Sequence, residues 1–413
     1  MAAQTSRLRT VDEHLTQILD TVEPLSAYEQ PLLEVLGLPL CEDVRAPIAL
    51  PGFDNSAMDG YAVRAQDVAG ASPDSPVTLP VVGEMGAGQT KAYALSAGTT
   101  LRIMTGAPIP KGADAVVPVE WTDKGVAKVR IGKAPAVGEH VRHAGEDVKV
   151  GDVLLENGTL IGPRQLGLLA AVGRSQVLAH PRPRVVVIST GSELREPGTE
   201  LAFDSIYDAN SHLLAASVRA AGAIAYRVGI IPDDPQLFSD TLSDQLVRAD
   251  LVVTSGGVSK GEYDIVKEVL ARLGTVEFCE VAMQPGKPQG FGTIGEDSTP
   301  IFTLPGNPVS TYVSFEVFVA PALRQMMGKW PYRRPLVHAT SYHAIKSPPG
   351  RRQFVRGSFL IEPRGATVAP FGGHGSHLVG GLANANALVV VPEDTTEIAA
   401  GEVVDVMVLD REF

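Results

Sequence analysis

The chain is poor in cysteine, with only Cys41 and Cys279 among 413 residues. Two thiols cannot make a disulfide framework. Both lie beside apolar residues, so the expectation is buried free thiols in a reducing compartment. No window reaches the ~18 apolar residues that a membrane span needs, so no membrane partner is expected. Met1 to Thr21 is polar and helical in pattern rather than basic and then apolar. The expected location is therefore cytoplasmic. Positive charge is also short: 35 Lys and Arg stand against 47 Asp and Glu, a net charge of −12. That argues against non-specific nucleic-acid binding. It leaves an anionic small ligand open, because a few lysines and backbone amides can reverse the potential inside one cleft. Tandem repeats are absent. No G-x-G-x-x-G separates the first central strand from its helix, which argues against a nicotinamide dehydrogenase.

Glycine (42) and proline (31) are plentiful, implying many turns and compact β-rich pieces. The length predicts two to four domains. Val11, Leu15, Ile18 and Leu19 share one face of a helix at the start. A second helical piece is expected over Tyr28 to Leu36, stopped by Gly37. Short alternating runs follow from Val44 to about His143: Val77 to Val82, Thr99 to Ile103, Ala115 to Val119 and Val126 to Ile131. They predict an all-β module. Asp147 to Leu155 reads as a strand, and Pro163 to Val172 as a helix closed by Gly173.

The middle of the chain alternates strands and helices. Strands are expected at Arg184–Ile188, Ala225–Ile231, Leu251–Thr254, Val276–Met283 and Ile301–Leu304. Helices are expected at Asn210–Ala221, Asp234–Leu246, Tyr263–Leu273 and Thr311–Met326. This predicts a mostly parallel, three-layer, doubly wound α/β domain. After Trp330-Pro331 the period returns to two. Leu336–Tyr342, Phe354–Ile361, Thr367–Pro370, Ala387–Val391 and Val403–Leu409 predict a small β barrel or sandwich. The expected parts are 1–43 with 144–178, an inserted β module at 44–143, the α/β domain at 179–329 and a β domain at 330–413.

Three glycine-rich turns follow apolar runs in that middle region. They are Ser255-Gly256-Gly257-Val258-Ser259, Gln284-Pro285-Gly286-Lys287-Pro288 and Leu304-Pro305-Gly306-Asn307-Pro308-Val309-Ser310. Such turns expose backbone N–H groups, and an open α/β sheet binds its ligand at the rim they form. A large, phosphate-bearing anion is the expected ligand.

In this order and spacing the motifs resemble the molybdopterin molybdenumtransferase (molybdenum insertase) family. The resemblance rests on Pro51-Gly52-Phe53-Asp54-Asn55-Ser56-Ala57-Met58-Asp59-Gly60-Tyr61-Ala62, Arg102-Ile103-Met104-Thr105-Gly106-Ala107-Pro108 and Gly112-Ala113-Asp114-Ala115-Val116-Val117. It continues through Arg142, Gly145-Glu146-Asp147, Ser189-Thr190-Gly191-Ser192-Glu193-Leu194 and the three turns above. It implies an elongated homodimer whose substrates are adenylylated molybdopterin and molybdate and whose products are molybdenum cofactor and AMP. It further implies Mg²⁺ as cofactor, a cleft shared between subunits, and contact with the adenylyltransferase of the same pathway.

Each site residue has a plainer reading. Asp59 fits an Asx turn; the resemblance makes it the working acid. Thr105 and Asp147 fit turn residues; the resemblance gives both a site role. Thr190, Gly191 and Ser192 form a phosphate-sized nest, with Glu193 just beyond it. An acid beside phosphate makes sense mainly through Mg²⁺. Asn210 fits a helix N-cap, and the resemblance adds a ligand contact for Asp208. One of Asp233 and Asp234 is expected to cap a helix and leave the other free. The resemblance makes Asp233, Asp264 and Glu193 metal or catalytic candidates. Gly256, Gly257, Ser259 and Lys260 line one turn. Lys287, fixed between Gly286 and Pro288, is the strongest candidate cation. Pro305, Asn307 and Pro308 shape the last turn. Gly373-His374-Gly375-Ser376-His377 reads as a surface loop or a pterin-side or dimer contact, without the ligands for zinc.

The chain departs from the family at Gln284, where many members carry lysine, and at Glu280, where a lysine can occur. On one strand these residues, four apart, would face the same side and weaken the anion site. Lys260 offers compensation, and Ala209 replaces a common serine. Two other functions compete: adenylylation of molybdopterin, and a non-enzymatic molybdopterin-binding scaffold. The N-terminal β module and the C-terminal β domain favour the insertase over the first. The absence of long linkers or added domains disfavours the second.

Overall fold

The computed structural model describes residues 8–88, 93–256, 265–371 and 375–410. The chain packs as two units. One comprises Met1–Gln30, Gly37–Cys41 and Leu178–Phe413; the other comprises Pro31–Leu36 and Glu42–Val177.

In the first unit, the helix Val11–Thr21 begins with a capping box. Thr10 Oγ1 accepts from Glu13 N–H, while Thr10 N–H donates to Glu13 Oε2. Its buried face holds Val11, His14, Leu15 and Ile18. The central sheet has six strands, ordered Ile224–Arg227, Arg184–Ser189, Leu251–Ser255, Thr299–Leu304, Pro288–Ile294 and Glu277–Glu280. The first four run parallel, and Pro288–Ile294 runs antiparallel to both of its neighbours. Leu251–Ser255 is buried along its whole length, as strands covered on both faces are. Val186, Ile188, Val252 and Ile301 pack with Phe238 and Leu242 of the helix Pro235–Leu246.

Period-two strands then close a five-membered barrel: Arg352–Glu362, Gly365–Pro370, Leu336–Ser341, Val403–Val408, Ala387–Val391 and back to Arg352–Glu362. Val368, Val389, Val391 and Val406 fill it and are wholly buried. Closure removes the exposed edges of the sheet.

The second unit is built on a five-stranded sheet, ordered Ala115–Pro118, Gly60–Val63, Thr100–Ile103, Val77–Met85 and Lys128–Ile131. Gly60 has a steric reason to be glycine: an added Cβ would lie 2.0 Å from the Val117 carbonyl oxygen. Gly60→Ala is expected to destabilise the protein by about 3 kcal/mol, the upper range for overpacking, with chemical denaturation as the measurement.

Several expectations change. Tyr28–Pro31 is a strand followed by turns, not the start of a helix. Tyr28, Leu32, Leu33 and Leu36 imitate helical spacing, yet Leu33 is 83% exposed, so no buried helical face supports the pattern. The strand expected over Asp147–Leu155 forms only at Val153–Leu155. The strand expected at Ala225–Ile231 is Ile224–Arg227. Pro288–Ile294, given no element by the sequence beyond the turn ending at Pro288, is a full strand. Both cysteines are half-buried rather than buried.

Candidate functional site

The carboxyl ends of three of the four parallel strands carry glycine-containing turns. Ser189 leads into Thr190 and Gly191, Ser255 into Gly256, and Leu304 into Pro305 and Gly306. Gly256 donates its N–H to Leu304 O at 3.1 Å. A Cβ on Gly256 would meet Thr190 O at 3.1 Å, and one on Gly306 would meet Gly256 Cα at 3.7 Å. Three turns from three strands are therefore in contact, and glycine permits the approach. Gly256 also has a φ of +93°. Ser192, Glu193, Asp233, Gly306 and Asn307 stand exposed along this rim. Gly257, Ser259, Lys260 and Asp264 lie outside the described residues.

Two strand ends are locked together by a reciprocal pair. Ser192 N–H donates to Asp233 Oδ2, and Asp233 N–H donates to Ser192 Oγ, both at 3.0 Å. Asp234 caps the next helix, accepting from Gln236 and Leu237 N–H. The expected division of labour between these acids thus has a geometric form, but Asp233 is tied to Ser192 rather than free. The Glu193 carboxylate folds over Gly191, where an added Cβ would lie 2.6 Å from Glu193 Oε2. Among the described residues, no cluster of three or more His, Cys, Asp or Glu side chains is placed to hold a metal.

Asp208 differs from the expectation of a ligand contact. It is 1% exposed. Its carboxylate accepts from Ser189 Oγ at 3.1 Å, from Ser211 N–H at 3.0 Å and from Ser211 Oγ. Arg227 lies 3.9 Å away. Ser189 Oγ also meets Ser255 Oγ at 3.0 Å. Asp208 therefore braces two strand ends, and the helix begins at Asn210 itself, so Asn210 is not its N-cap. Asn210 instead donates its amide to Gly306 O at 2.7 Å. Asn307 precedes the helix begun by Pro308, and its side chain makes no cap hydrogen bond. Thr311 Oγ1 donates to Asn307 O and Pro305 O, which fixes the turn from the helix side.

Lys287 sits at the same edge, since Pro288 begins the antiparallel neighbour of Thr299–Leu304. Its Nζ pairs with Glu280 Oε2 at 2.8 Å. Gln284 does not share a strand face with Glu280. Glu280 ends a central-sheet strand, whereas Met283–Gln284 pairs parallel with barrel strand Arg352–Glu362. The chain changes sheets at Val281–Ala282, where Arg9 N–H donates to Glu280 O and Ala282 N–H to Arg9 O. Gln284 lines a small cavity with Pro285, Val309, Gln353 and Arg356. Of the Gly373–His377 loop, Gly373 and His374 lie outside the described residues, while Ser376 O accepts from Val309 N–H.

In the second unit, Asp59 and Thr105 stand at neighbouring strand ends, because Gly60 pairs with Ile103. Asp59 Oδ1 accepts from Thr105 N–H at 2.7 Å and from Thr105 Oγ1 at 2.8 Å. The backbone bond, then the hydroxyl, lowers the Asp59 pKa, and Arg102 adds a smaller effect. The exposed carboxylate is thus held in its charged form and oriented through Oδ1. The segment before it runs beside His140–Asp147: Ala57 N–H donates to His140 O, Ala144 N–H to Asp54 Oδ1 and Asp147 N–H to Leu50 O. Asp147 itself is exposed. The pairing of Asp54 with the Ala144 turn was not read from the sequence, although Asp54 stands inside the quoted motif.

Three family models match in chain order: the MoeA N-terminal region (domains I and II) over 9–173, a probable molybdopterin binding domain over 186–325 and the MoeA C-terminal region (domain IV) over 339–409. A curated relative, molybdopterin molybdenumtransferase 2 of Mycobacterium tuberculosis, is 48% identical over 95% of this chain and 98% of its own. This chain belongs to the molybdopterin molybdenumtransferase (MoeA) family. It is an enzyme of the transferase class. The Haemophilus influenzae molybdopterin molybdenumtransferase is 35% identical over 96% of this chain and 98% of its own. The crystal structure of a molybdopterin biosynthesis MoeA protein from Pyrococcus horikoshii superposes with a TM-score of 0.81, at 32% identity, over 98% of this chain and all of that one. The α/β domain and the closed barrel are thus features of the MoeA fold.

Proposed function

We propose that this transferase inserts molybdenum from molybdate into adenylylated molybdopterin, releasing molybdenum cofactor and AMP. The observation that carries the reading is the contact between three strand-end turns, at Thr190, Gly256 and Gly306, on one exposed rim. Glycines leave backbone there open to a phosphate-bearing ligand. Catalysis on such a rim comes from positioning and from neutralising phosphate charge. Thr190, Gly191 and Ser192 cradle phosphate, while Pro305, Asn307 and Pro308 shape the opposite wall. Attack of a molybdate oxygen or water on the pyrophosphate linkage releases AMP.

Mg²⁺ fits the donors present. The Glu193 carboxylate lies over a residue without a side chain, and Asp233 spends one oxygen on Ser192. Two carboxylates with oxygen-only chemistry suit an ion that takes the rest of its shell from water and substrate phosphates. Bound there, the ion would screen phosphate charge from both acids. Asp264 is assigned to the same role by family resemblance.

The same reading makes the protein a cytoplasmic homodimer, in contact with the adenylyltransferase that supplies its substrate. The Asp59 acid of one subunit serves the rim of the other, as the resemblance implies. A mixture of Asp59→Ala and Glu193→Ala proteins is then expected to recover about a quarter of wild-type turnover after subunit exchange, the statistical share for random dimers. Recovery absent in a mixture shown by sedimentation to contain mixed dimers would contradict the shared cleft.

Isothermal titration tests the substrate. Adenylylated molybdopterin is expected to bind more tightly than ATP or molybdopterin alone. Preference for ATP with molybdopterin would instead favour the adenylylating reaction.

A further inference from the structure

Resting on the function proposed above, we infer that Glu280 is a built-in competitor for the substrate anion at Lys287. Two strands end side by side at this edge, with Glu280 opposite Pro288 in the antiparallel ladder. The carboxylate therefore stands beside the lysine that precedes Pro288, and the pair closes at 2.8 Å. Neither residue can easily swing away at the backbone. Val281 N–H donates to Lys287 O at 2.7 Å, and Arg9 N–H to Glu280 O at 3.2 Å. The turn before Lys287 is equally fixed. Gly286 has a φ of +98°, and an added Cβ would lie 2.8 Å from Ser314 Oγ. Gln289 Nε2 donates to both Gly286 O and Ser314 Oγ.

The side chains remain partly open to water, Lys287 at 32% and Glu280 at 38%. An incoming tetrahedral oxyanion can reach the ammonium, but it must displace a carboxylate already there. An exposed pair of this kind is cheap to break, so Glu280 tunes affinity rather than abolishing binding. The remaining carboxylate then repels the bound oxyanion across a few ångströms. The consequence is a rim cation usable mainly by an anion of higher charge or better fit than Glu280 itself. The oxyanion is either molybdate or a phosphate of the adenylylated pterin.

The test is calorimetric titration of the full chain with sodium molybdate and, separately, with adenylylated molybdopterin. Proteins are wild type, Glu280→Gln, Lys287→Met and the double variant, each first checked by thermal melting. Glu280→Gln keeps the shape of the side chain and is expected to tighten oxyanion binding about five- to tenfold at low salt. The gain is expected to shrink at high salt, and to vanish in the Lys287→Met background. A gain with molybdate alone assigns the subsite to the metal oxyanion; a gain with the pterin alone assigns it to the phosphate. No gain with either probe overturns the inference, as does a gain that persists without Lys287. Those failures leave wild-type AMP release untouched, whereas failure of the proposed function is read from that release alone.

Discussion

Asp59→Ala is expected to lower AMP release about 100-fold or more, with the fold preserved, as loss of one positioned charge typically does. The size follows from the geometry. One carboxylate oxygen is held by the N–H and hydroxyl of Thr105, so the side chain is aimed before any ligand arrives. Thr105 holds the acid ionised: both bonds favour the charged form, so its folded pKa lies below the ordinary carboxylate value. The sign then follows. A carboxylate with a depressed folded pKa keeps its charge throughout the neutral range and loses it only in acid. Turnover of the wild type should therefore show no loss from Asp59 between neutrality and the usual carboxylate range. Stability should change little in Asp59→Ala, because the carboxylate is exposed. Turnover and melting temperature measured on one preparation check this. Normal turnover, or a loss matched by unfolding, counts against Asp59 as the working acid.

Asp208→Ala should behave in the opposite way, with a stability loss of about 3 kcal/mol and a melting temperature lower by several degrees. The carboxylate is buried and takes hydrogen bonds from Ser189 Oγ, Ser211 N–H and Ser211 Oγ. Truncation strands these donors beneath the Gly191 and Gly256 turns. It also leaves Arg227 with Glu196 as its remaining carboxylate partner among the described contacts. Asp208→Asn retains the shape but replaces one accepting oxygen with a donor, so an intermediate loss is expected. Denaturant unfolding measures both. An Asp208→Ala protein as stable as wild type, but unable to bind the pterin, would restore the direct ligand contact implied by family resemblance.

The contrast between these acids marks the limit of sequence reading. The turn at Asp59 was legible from Gly60 beside it, but not its partner: Thr105 reaches it from just beyond the strand Thr100–Ile103, which pairs with Gly60–Val63 from far along the chain. The C-terminal β domain was legible from its short strand runs, but a barrel could not be told from a sandwich, because closure joins strands distant in the chain, Leu336–Ser341 with Val403–Val408 and Arg352–Glu362 with Ala387–Val391. The cap expected at Asn210 was misplaced because capping is a competition among nearby acceptors. Asn210 fits the local rule, but the chain bends so that Asp208 reaches Ser211 N–H and Asn210 reaches across to Gly306.

The edge at Lys287 failed for a longer-range reason. Period-two facing holds only while a strand stays in one sheet, and the segment between Glu280 and Gln284 leaves the central sheet for the barrel. The Arg9 backbone that stabilises this crossing comes from the other end of the chain. Pro288–Ile294 escaped notice because its glycines look like loop residues. Gly290 and Gly292 are instead required by close neighbours: an added Cβ would meet Phe278 at 2.9 Å and Val276 Cα at 2.5 Å. Of the three turns read from sequence, those at Gly256 and Gly306 do approach each other, and the third member of the contact is the Thr190-Gly191 turn, because the strand ending at Ser189 lies next to the one ending at Ser255.

The most direct test is AMP release from purified protein given adenylylated molybdopterin and molybdate, with Mg²⁺ present or removed by chelation. AMP and molybdenum cofactor are expected in equal amounts, with release stopped by chelation and restored by added Mg²⁺. No AMP under these conditions, alongside AMP transfer from ATP to molybdopterin by the same preparation, would contradict it.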